Sequence, residues 1–212
     1  MTYKEEIRRT VVKLLEQESI HTQEEVVLSI FEMMGRISSE TATHCIQVGK
    51  YSEILAAGMG MPADKVKELK LAAMLHDLGK IVLPTNIVEK PGKLTPEEYE
   101  MVKRHVIHGY DFLVGASGET LRLAAQVALE HHERWDGEGY LRKRGSDVCL
   151  EARIVSVADV FDALISERCY KKPWPLNEAR EEIIRHGGTQ FDPAVTKVFE
   201  RCIRKVFEAI PA

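Results

Sequence analysis

The chain has 212 residues, a formal net charge of −4 and a pI of about 6.1. This length fits one domain with at most a small appendage, and the mild negative charge provides no global field that would attract long nucleic acid. Four cysteines without a CxxC spacing, and an N-terminus without an apolar segment, predict a cytoplasmic protein with reduced thiols and no signal peptide. No apolar run is long enough to span a membrane.

Helical periodicity dominates the sequence, and strand patterns are almost absent. The first predicted helix covers residues 3–18. The second runs from the capping box of Thr22 and Glu25 to Gly35, and the third from Ser38 or Ser39 through Leu55. Further helices are predicted for residues 62–78, 95–114, 119–132 and 150–165, for a segment that ends at Gly187, and for residues 193–209. Residues 80–94 and 133–149 are predicted to be loops. The sequence therefore predicts an all-α helical bundle, with residues 1–35 as a helical N-terminal extension and residues 36–212 as the main domain.

Residues that commonly bind transition metals recur near the predicted helix ends. Glu40 and His44 are four residues apart, so they share one helix face and can reach one ion. His76 and Asp77 are adjacent, and neighbouring side chains on a helix diverge by about 100°. We therefore expect the short Asp77 carboxylate to bridge two ions while His76 binds one of them.

A second group of such residues lies in the C-terminal half. His131 and His132 form an adjacent pair, and His105 lies upstream of them. Asp159 interrupts the apolar run IVSVADVF, where a buried carboxylate needs a cationic partner. Asp162, one turn later, is positioned to orient a neighbouring ligand.

Taken singly, these residues also have ordinary explanations. A single histidine on a helix usually packs in the core or faces solvent, and the 131–132 pair would be favourable at a helix C-terminus. The joint pattern of about eight candidate ligands favours a site for two or three metals. Mixed imidazole and carboxylate ligands suit iron, manganese or zinc better than magnesium or calcium. The pattern thus indicates a hydrolase that uses a metal-bridging hydroxide on a phosphodiester.

Four stretches, in order, resemble the HD-GYP family of HD-domain phosphohydrolases. They are HDLGK at 76–80, LPTNIVEKPGKLT at 83–95, HHERWDGEGY at 131–140 and ARIVSVADVFDALISERCYKK at 152–172. The similarity runs from about Glu40 to Pro193. It implies an all-α bundle that hydrolyses cyclic di-GMP to linear pGpG and, in some members, on to GMP. It also implies a cluster of two or three divalent ions, iron or manganese first and zinc, nickel or cobalt as alternatives.

The resemblance assigns roles to individual residues. The implied metal ligands are His44, His76, Asp77, His105, His131, His132 and Asp159. Glu40 matches the carboxylate that marks three-metal members. Lys80 and Asp77 are the implied catalytic residues, with Lys80 beside the metals and the scissile phosphate. Arg168 and Lys171 match basic residues that bind the phosphates of the ligand.

The chain departs from the family at one loop. The family proline is missing after Tyr140, and residues 141–144 read LRKR. This change affects the expected loop conformation and substrate preference. The basic segment is either an exposed charged loop or a contact for ligand or partner. Tyr140 and Trp135 are candidates for stacking on guanine, and Trp135 alternatively packs on the bundle.

Other functions remain open on the sequence alone. One is a phosphohydrolase for another nucleotide or cyclic dinucleotide. A second is a non-catalytic cyclic di-GMP-binding module. A third is an output domain that works with a fused or separate signalling domain, since the first 35 residues resemble either an extension or a remnant of a longer protein. The apolar N-terminal helices also allow a homodimer.

Overall fold

Helices form the whole framework of the described chain. The computed structural model describes residues 6, 9–13, 22–37, 39–167 and 172–211, without the side chains of residues 36, 37 and 39–41. Its α-helices, numbered here from residue 22 onward, are α1 Gln23–Ile37, α2 Ser39–Gly58, α3 Ala63–Met74, α4 Thr85–Val88, α5 Pro96–Lys103, α6 His105–Leu113, α7 Glu119–Glu130, α8 Leu150–Ile165, α9 Leu176–Arg185 and α10 Pro193–Glu208. Two short 3-10 helices cover Leu78–Val82 and Gly145–Asp147. The described part contains no strand, which confirms the all-α prediction.

Helix α2 lies at the centre and packs against α1, α3, α8 and α10, while α7 packs against α3 and α6. Aromatic rings join three of these helices: Tyr51 of α2 meets Phe161 of α8 edge-on at 5.4 Å between centroids, and Phe161 meets Phe199 of α10 at 5.2 Å. All three rings are buried. Burial of a large apolar side chain contributes roughly 1.5–3 kcal/mol, so this contact holds α8 in a fixed position on α2.

The first predicted capping box is present, but the helix continues beyond its predicted end. Thr22 N–H donates to Glu25 Oε2 at 2.8 Å, and Glu25 N–H donates to Thr22 Oγ1 at 3.3 Å. Helix α1 then runs through Gly35 to Ile37, so the prediction that Gly35 ends it is wrong. A glycine ends a helix when it adopts a left-handed conformation, and Gly35 does not adopt one. The domain boundary expected after residue 35 remains a prediction.

The predicted helix 62–78 is also shorter, and the predicted loop 80–94 is more ordered. Helix α3 ends at Met74, and the chain turns before it enters the 3-10 helix Leu78–Val82. Gly79 explains this path, because a β-carbon there would lie 1.9 Å from the carbonyl oxygen of His105 and 2.5 Å from the backbone nitrogen of Gly109. Only a residue without a β-carbon can lie this close to α6. Helix α4 follows Pro84 within the predicted loop.

The predicted helix 95–114 is divided at Arg104 into α5 and α6. Its predicted capping box is present, with Thr95 N–H donating to Glu98 Oε2 at 2.7 Å. At the division, His105 Nδ1 donates to the Val102 carbonyl at 2.7 Å. In a continuous helix that carbonyl would accept from the residue four positions later. The side chain of His105 therefore replaces a backbone hydrogen bond of the helix.

Two predictions about the chain as a whole can be compared with the structure. Cys45, Cys149 and Cys202 are free thiols, and Cys169 lies outside the described residues. Among the described helices, none combines the length and the apolar character that a bilayer crossing requires.

Candidate metal centre

Side chains from five parts of the helical framework converge on one point. They are His44 of α2, His76 and Asp77 after α3, His105 at the start of α6, His131 and His132 after α7, and Asp159 of α8. Ligand atoms lie within 4.8 Å of one another in three groups: His44–His76–Asp77, His76–His131–Asp159 and His105–His131–His132. Ligand bonds to transition metals are roughly 2.0–2.2 Å long, so these spacings suit coordination of a shared cation.

Three of the imidazoles are oriented by backbone carbonyls. In each, Nδ1 donates a hydrogen bond within the preceding turn. These bonds join His76 to Ala73 at 2.7 Å, His105 to Val102 at 2.7 Å and His131 to Ala128 at 3.0 Å. A proton fixed on Nδ1 leaves the Nε2 lone pair of a neutral imidazole free to bind a metal.

His44 is held between two carboxylates instead. Its Nδ1 donates to Asp162 Oδ2 at 2.6 Å, and its Nε2 lies 3.1 Å from Asp159 Oδ1. Burial alone would lower the pKa of His44, but hydrogen bonds to Asp159 and Asp162 outweigh it and raise that pKa to about 9. In metal-free protein His44 is therefore a cation, and the Asp162 contact orients its ring.

Asp77 lies at the middle of the cluster and is almost fully buried. Its Oδ1 is 3.4 Å from His105 Nε2 and 3.9 Å from His131 Nε2, while its Oδ2 is 2.5 Å from Lys80 Nζ and 3.4 Å from His76 Nε2. Burial opposes ionisation of Asp77, but the Lys80 ammonium and His76 outweigh it and hold its pKa well below the usual range. Asp77 is therefore an anion shared between two sides of the cluster.

Two buried polar atoms at this point have charged neighbours but no hydrogen bond. His76 Nε2 and Asp77 Oδ1 have no hydrogen-bond partner within the described part of the chain. A buried polar atom without a hydrogen bond costs free energy in a folded protein. A cation bound between them would remove the cost, so the residues present fit a metal site.

The imidazoles of His105, His131 and His132 are neutral near neutral pH. Burial is the main cause in each case, and repulsion from neighbouring positive groups, which are Lys80 or other histidines of the cluster, adds to it. The pKa of His105 falls to about 3, that of His132 to about 4, and that of His131 lies well below its usual value. The Nε2 atoms of His105 and His131 are only 3.3 Å apart. Two unprotonated nitrogens facing each other at this distance favour a cation near both.

The stability of the metal-free protein is expected to be greatest near pH 6.5. Because the folded state lowers the pKa of His105 and His132 from 6.5 to about 3 and 4, the unfolded chain takes up protons first, and stability is lost as the pH falls below 6.5. Because the folded state raises the pKa of His44 to about 9, its contribution is complete below 6.5 and is lost as the pH rises toward 9. Urea midpoints in chelator measure this dependence, and a midpoint that climbs steadily from acid to alkaline pH would contradict it.

The side chains of three predicted site residues lie outside the described part of the chain. Glu40 belongs to the first turn of α2, one turn before His44, but its side chain lies outside the described part. Arg168 and Lys171 also lie outside the described residues. Their roles remain predictions.

An open cavity of about 460 Å³ adjoins the cluster at His132. Its walls include Tyr99 and Lys103 of α5 and Tyr140 of the 133–149 loop. The Tyr140 ring lies 4.7 Å from the His132 ring, and Lys103 Nζ lies 5.4 and 5.6 Å from the Tyr99 and Tyr140 ring centroids. Sequence analysis did not single out Tyr99 or Lys103. Their spacing of four residues, on the helix that leads to His105, was the available signal.

Two buried glutamates hold the loop that carries Tyr140. Glu133 accepts hydrogen bonds from Leu141 N–H at 2.7 Å and Lys143 N–H at 2.6 Å, and Glu130 accepts from Cys149 N–H at 2.8 Å. The Lys143 ammonium also pairs with Glu130. The loop is therefore fixed against the end of α7, beside the histidine pair, and Lys143 is held by this anchor.

The position of Trp135 distinguishes its two proposed roles. The backbone N–H of Trp135 donates to the Gln190 carbonyl at 3.0 Å, and the centre of its ring lies 5.7 Å from the Arg153 guanidinium carbon. Arg153 in turn pairs with Asp192. Trp135 thus packs on the bundle, whereas Tyr140 lines the cavity.

Sequence comparisons found related proteins. The profile of the HD-domain family matches residues 13–195. A cyclic di-GMP phosphodiesterase of Thermotoga maritima is 40% identical over 188 residues, covering 86% of this chain and 51% of that protein. A 3'3'-cGAMP-specific phosphodiesterase of Vibrio cholerae is 36% identical over 178 residues, covering 84% of this chain and 34% of that protein. The chain thus spans between about a third and about half the length of these relatives.

A solved structure shows the same fold. An HDGYP-type protein from Bdellovibrio bacteriovorus superposes with a TM-score of 0.64 at 20% identity, covering 93% of this chain and 70% of the other. The two proteins therefore share their helical architecture.

Proposed function

Because the chain belongs to the HD-domain family, in its HD-GYP branch, we propose that it is a metal-dependent phosphodiesterase that hydrolyses cyclic di-GMP to linear pGpG. The observation that carries the proposal is the buried Asp77 Oδ1, which has no hydrogen-bond partner in the described part of the chain and faces the Nε2 atoms of two neutral histidines. The relatives named above act on cyclic dinucleotides, which supports the choice of substrate.

The proposed ligands are His44, His76, Asp77, His105, His131, His132 and Asp159. His76, present in two of the three ligand groups, and Asp77, which lies between the two sides of the cluster, support a site for at least two ions. Glu40 would add a third. Iron or manganese fits the mixed imidazole and carboxylate set, with zinc, nickel or cobalt as alternatives. Ions of this kind supply a water of lowered pKa as the nucleophile.

Lys80 is the proposed electrostatic catalyst. Its ammonium lies 2.5 Å from Asp77 Oδ2. Burial lowers the pKa of Lys80, but the Asp77 carboxylate outweighs this and raises it, so the side chain stays charged. A fixed positive charge beside the cluster lowers the barrier if it faces the phosphoryl oxygens, where negative charge grows during hydrolysis. Arg168 and Lys171, which follow α8, would bind the substrate phosphates.

Replacing Lys80 with glutamine is expected to lower kcat by about 10²–10³-fold, because one donor to the developing charge is lost. Metal content should remain unchanged. Elemental analysis and steady-state kinetics measure both quantities, and Lys93→Gln, at an exposed lysine of the following loop, is the matched control. Loss of metal from Lys80→Gln would instead show that Lys80 supports Asp77 structurally.

The decisive test of the proposed function is product analysis. Protein purified without oxygen is stripped with chelator, reloaded with Mn²⁺ or Fe²⁺, and incubated with cyclic di-GMP. The proposal requires pGpG to appear only after reloading. Tight binding of cyclic di-GMP without turnover by the reloaded protein would favour a binding module instead.

A different cyclic dinucleotide is the second candidate substrate. One relative acts on 3'3'-cGAMP, and the loop after Tyr140 lacks the family proline. Competition between cyclic di-GMP and 3'3'-cGAMP in one reaction decides between them. In either case we propose a cytoplasmic signalling enzyme that works with a fused or separate signalling domain or as a homodimer.

A further inference from the structure

The backbone of Arg142 is unusual in the described part of the chain. Its φ of 61° places it in the left-handed region, and no other non-glycine residue described there has a positive φ. This conformation is unfavourable for a side chain with a β-carbon, and residues of this kind cluster where a ligand is bound. The neighbouring loop is fixed by Glu133, which accepts from the backbone N–H groups on either side, at Leu141 and Lys143.

Among the cations that line the cavity, Arg142 is the one without a partner in the described part of the chain. Arg134 donates to both Asp136 carboxylate oxygens, at 3.0 and 2.6 Å, and Lys103 pairs with Glu100 at 2.6 Å. Arg142 is exposed, lines the cavity, and makes no hydrogen bond or ion pair with any residue the structure describes. A guanidinium of this kind is available for a bidentate contact with a phosphate.

The other charged groups of the cavity leave Arg142 as its available cation. Three cationic side chains and two carboxylates line the cavity, the carboxylates being Glu133 and Glu138. Lys103 and Arg134 are already paired with carboxylates, and Glu133 accepts backbone hydrogen bonds, so Arg142 is the cation of this lining that remains available to an anion.

From these observations we infer that Arg142 binds the second, non-scissile phosphate of a cyclic dinucleotide. This inference rests on the proposed function, in which the scissile phosphate lies on the cluster that includes His132. A cyclic dinucleotide carries its two phosphodiesters on opposite sides of one ring. With one phosphate at the cluster, the other extends into the adjoining cavity, where Arg142 lies. Arg142 is then a specificity residue that favours ligands with two phosphodiesters.

The test compares a substrate that has two phosphodiesters with one that has a single phosphodiester. Arg142→Gly removes the guanidinium and suits the left-handed backbone, so the loop conformation is kept. It should lower kcat/KM for cyclic di-GMP by about 10–100-fold, mainly through KM, because a charge-assisted contact is lost. Hydrolysis of bis(4-nitrophenyl) phosphate should be unchanged. Arg142→Lys keeps a positive charge and should have a KM close to the wild-type value. Arg144→Ala, at an exposed arginine outside the cavity lining, should behave as wild type.

The outcomes separate this inference from the proposed function. Equal losses on both substrates would show that Arg142 acts through the metal site or the loop, which overturns the inference. Wild-type kinetics in Arg142→Gly would also overturn it, while leaving the proposed function intact. Wild-type protein that hydrolyses bis(4-nitrophenyl) phosphate but neither binds nor hydrolyses a cyclic dinucleotide would overturn both.

Discussion

Replacing Asp77 with alanine is expected to abolish metal-dependent turnover, with a loss of at least about 10³-fold, or roughly 4 kcal/mol of transition-state stabilisation. Asp77 reaches both sides of the cluster, since Oδ2 lies 3.4 Å from His76 and Oδ1 lies 3.4 Å from His105. Without this carboxylate, the two sides lose the anion that holds cations between them. Metal content per chain should fall along with the rate, and elemental analysis together with product formation measures both.

The shape of the side chain can be separated from its charge. Asp77→Asn keeps the volume but removes the negative charge, and it should lose metal almost as fully as the alanine variant. Asp111→Ala, at an exposed aspartate of α6, is the matched control and should retain metal and rate. Full metal content and full rate in Asp77→Ala would show that the bridging assignment is wrong. Thermal unfolding of each variant shows whether a loss of metal or of activity results from misfolding.

The local sequence predicted the features that local interactions determine. Both capping boxes, at Thr22 and Thr95, are present because their hydrogen bonds close within one turn. The helical class follows from periodicity, which each helix carries along its own length. The convergence of His44, His105 and Asp159 was inferred from the motif order and from residue chemistry, although they lie on three different helices.

The features that sequence analysis missed depend on contacts between distant segments. The early end of α3 and the division at Arg104 arise where Gly79 crosses the start of α6. Periodicity cannot report such a crossing, because each segment alone is compatible with a longer helix. The same limit explains why Glu133 was not recognised as the anchor of its loop. Its partners, the N–H groups of Leu141 and Lys143, lie eight and ten residues away.

Replacing Gly79 with alanine is expected to destabilise the protein by roughly 3 kcal/mol or more, because a buried β-carbon would overlap backbone that cannot move aside locally. The overlap is with the carbonyl oxygen of His105, 1.9 Å away, and the backbone nitrogen of Gly109, 2.5 Å away. For a chain of this size, such a loss lowers Tm by about 10 °C. Thermal unfolding of the metal-free protein measures it.

The same substitution should also reduce metal binding, since the clash separates α6 from the 3-10 helix that follows Asp77. His105 and Asp77, now 3.4 Å apart, would move away from each other. Gly115 provides the control, because a β-carbon there meets nothing within 4 Å and its φ is not positive. Gly115→Ala should therefore change stability by less than about 0.5 kcal/mol and leave metal binding intact. If Gly79→Ala matched this control in both measurements, the backbone crossing would not be what brings Asp77 to His105.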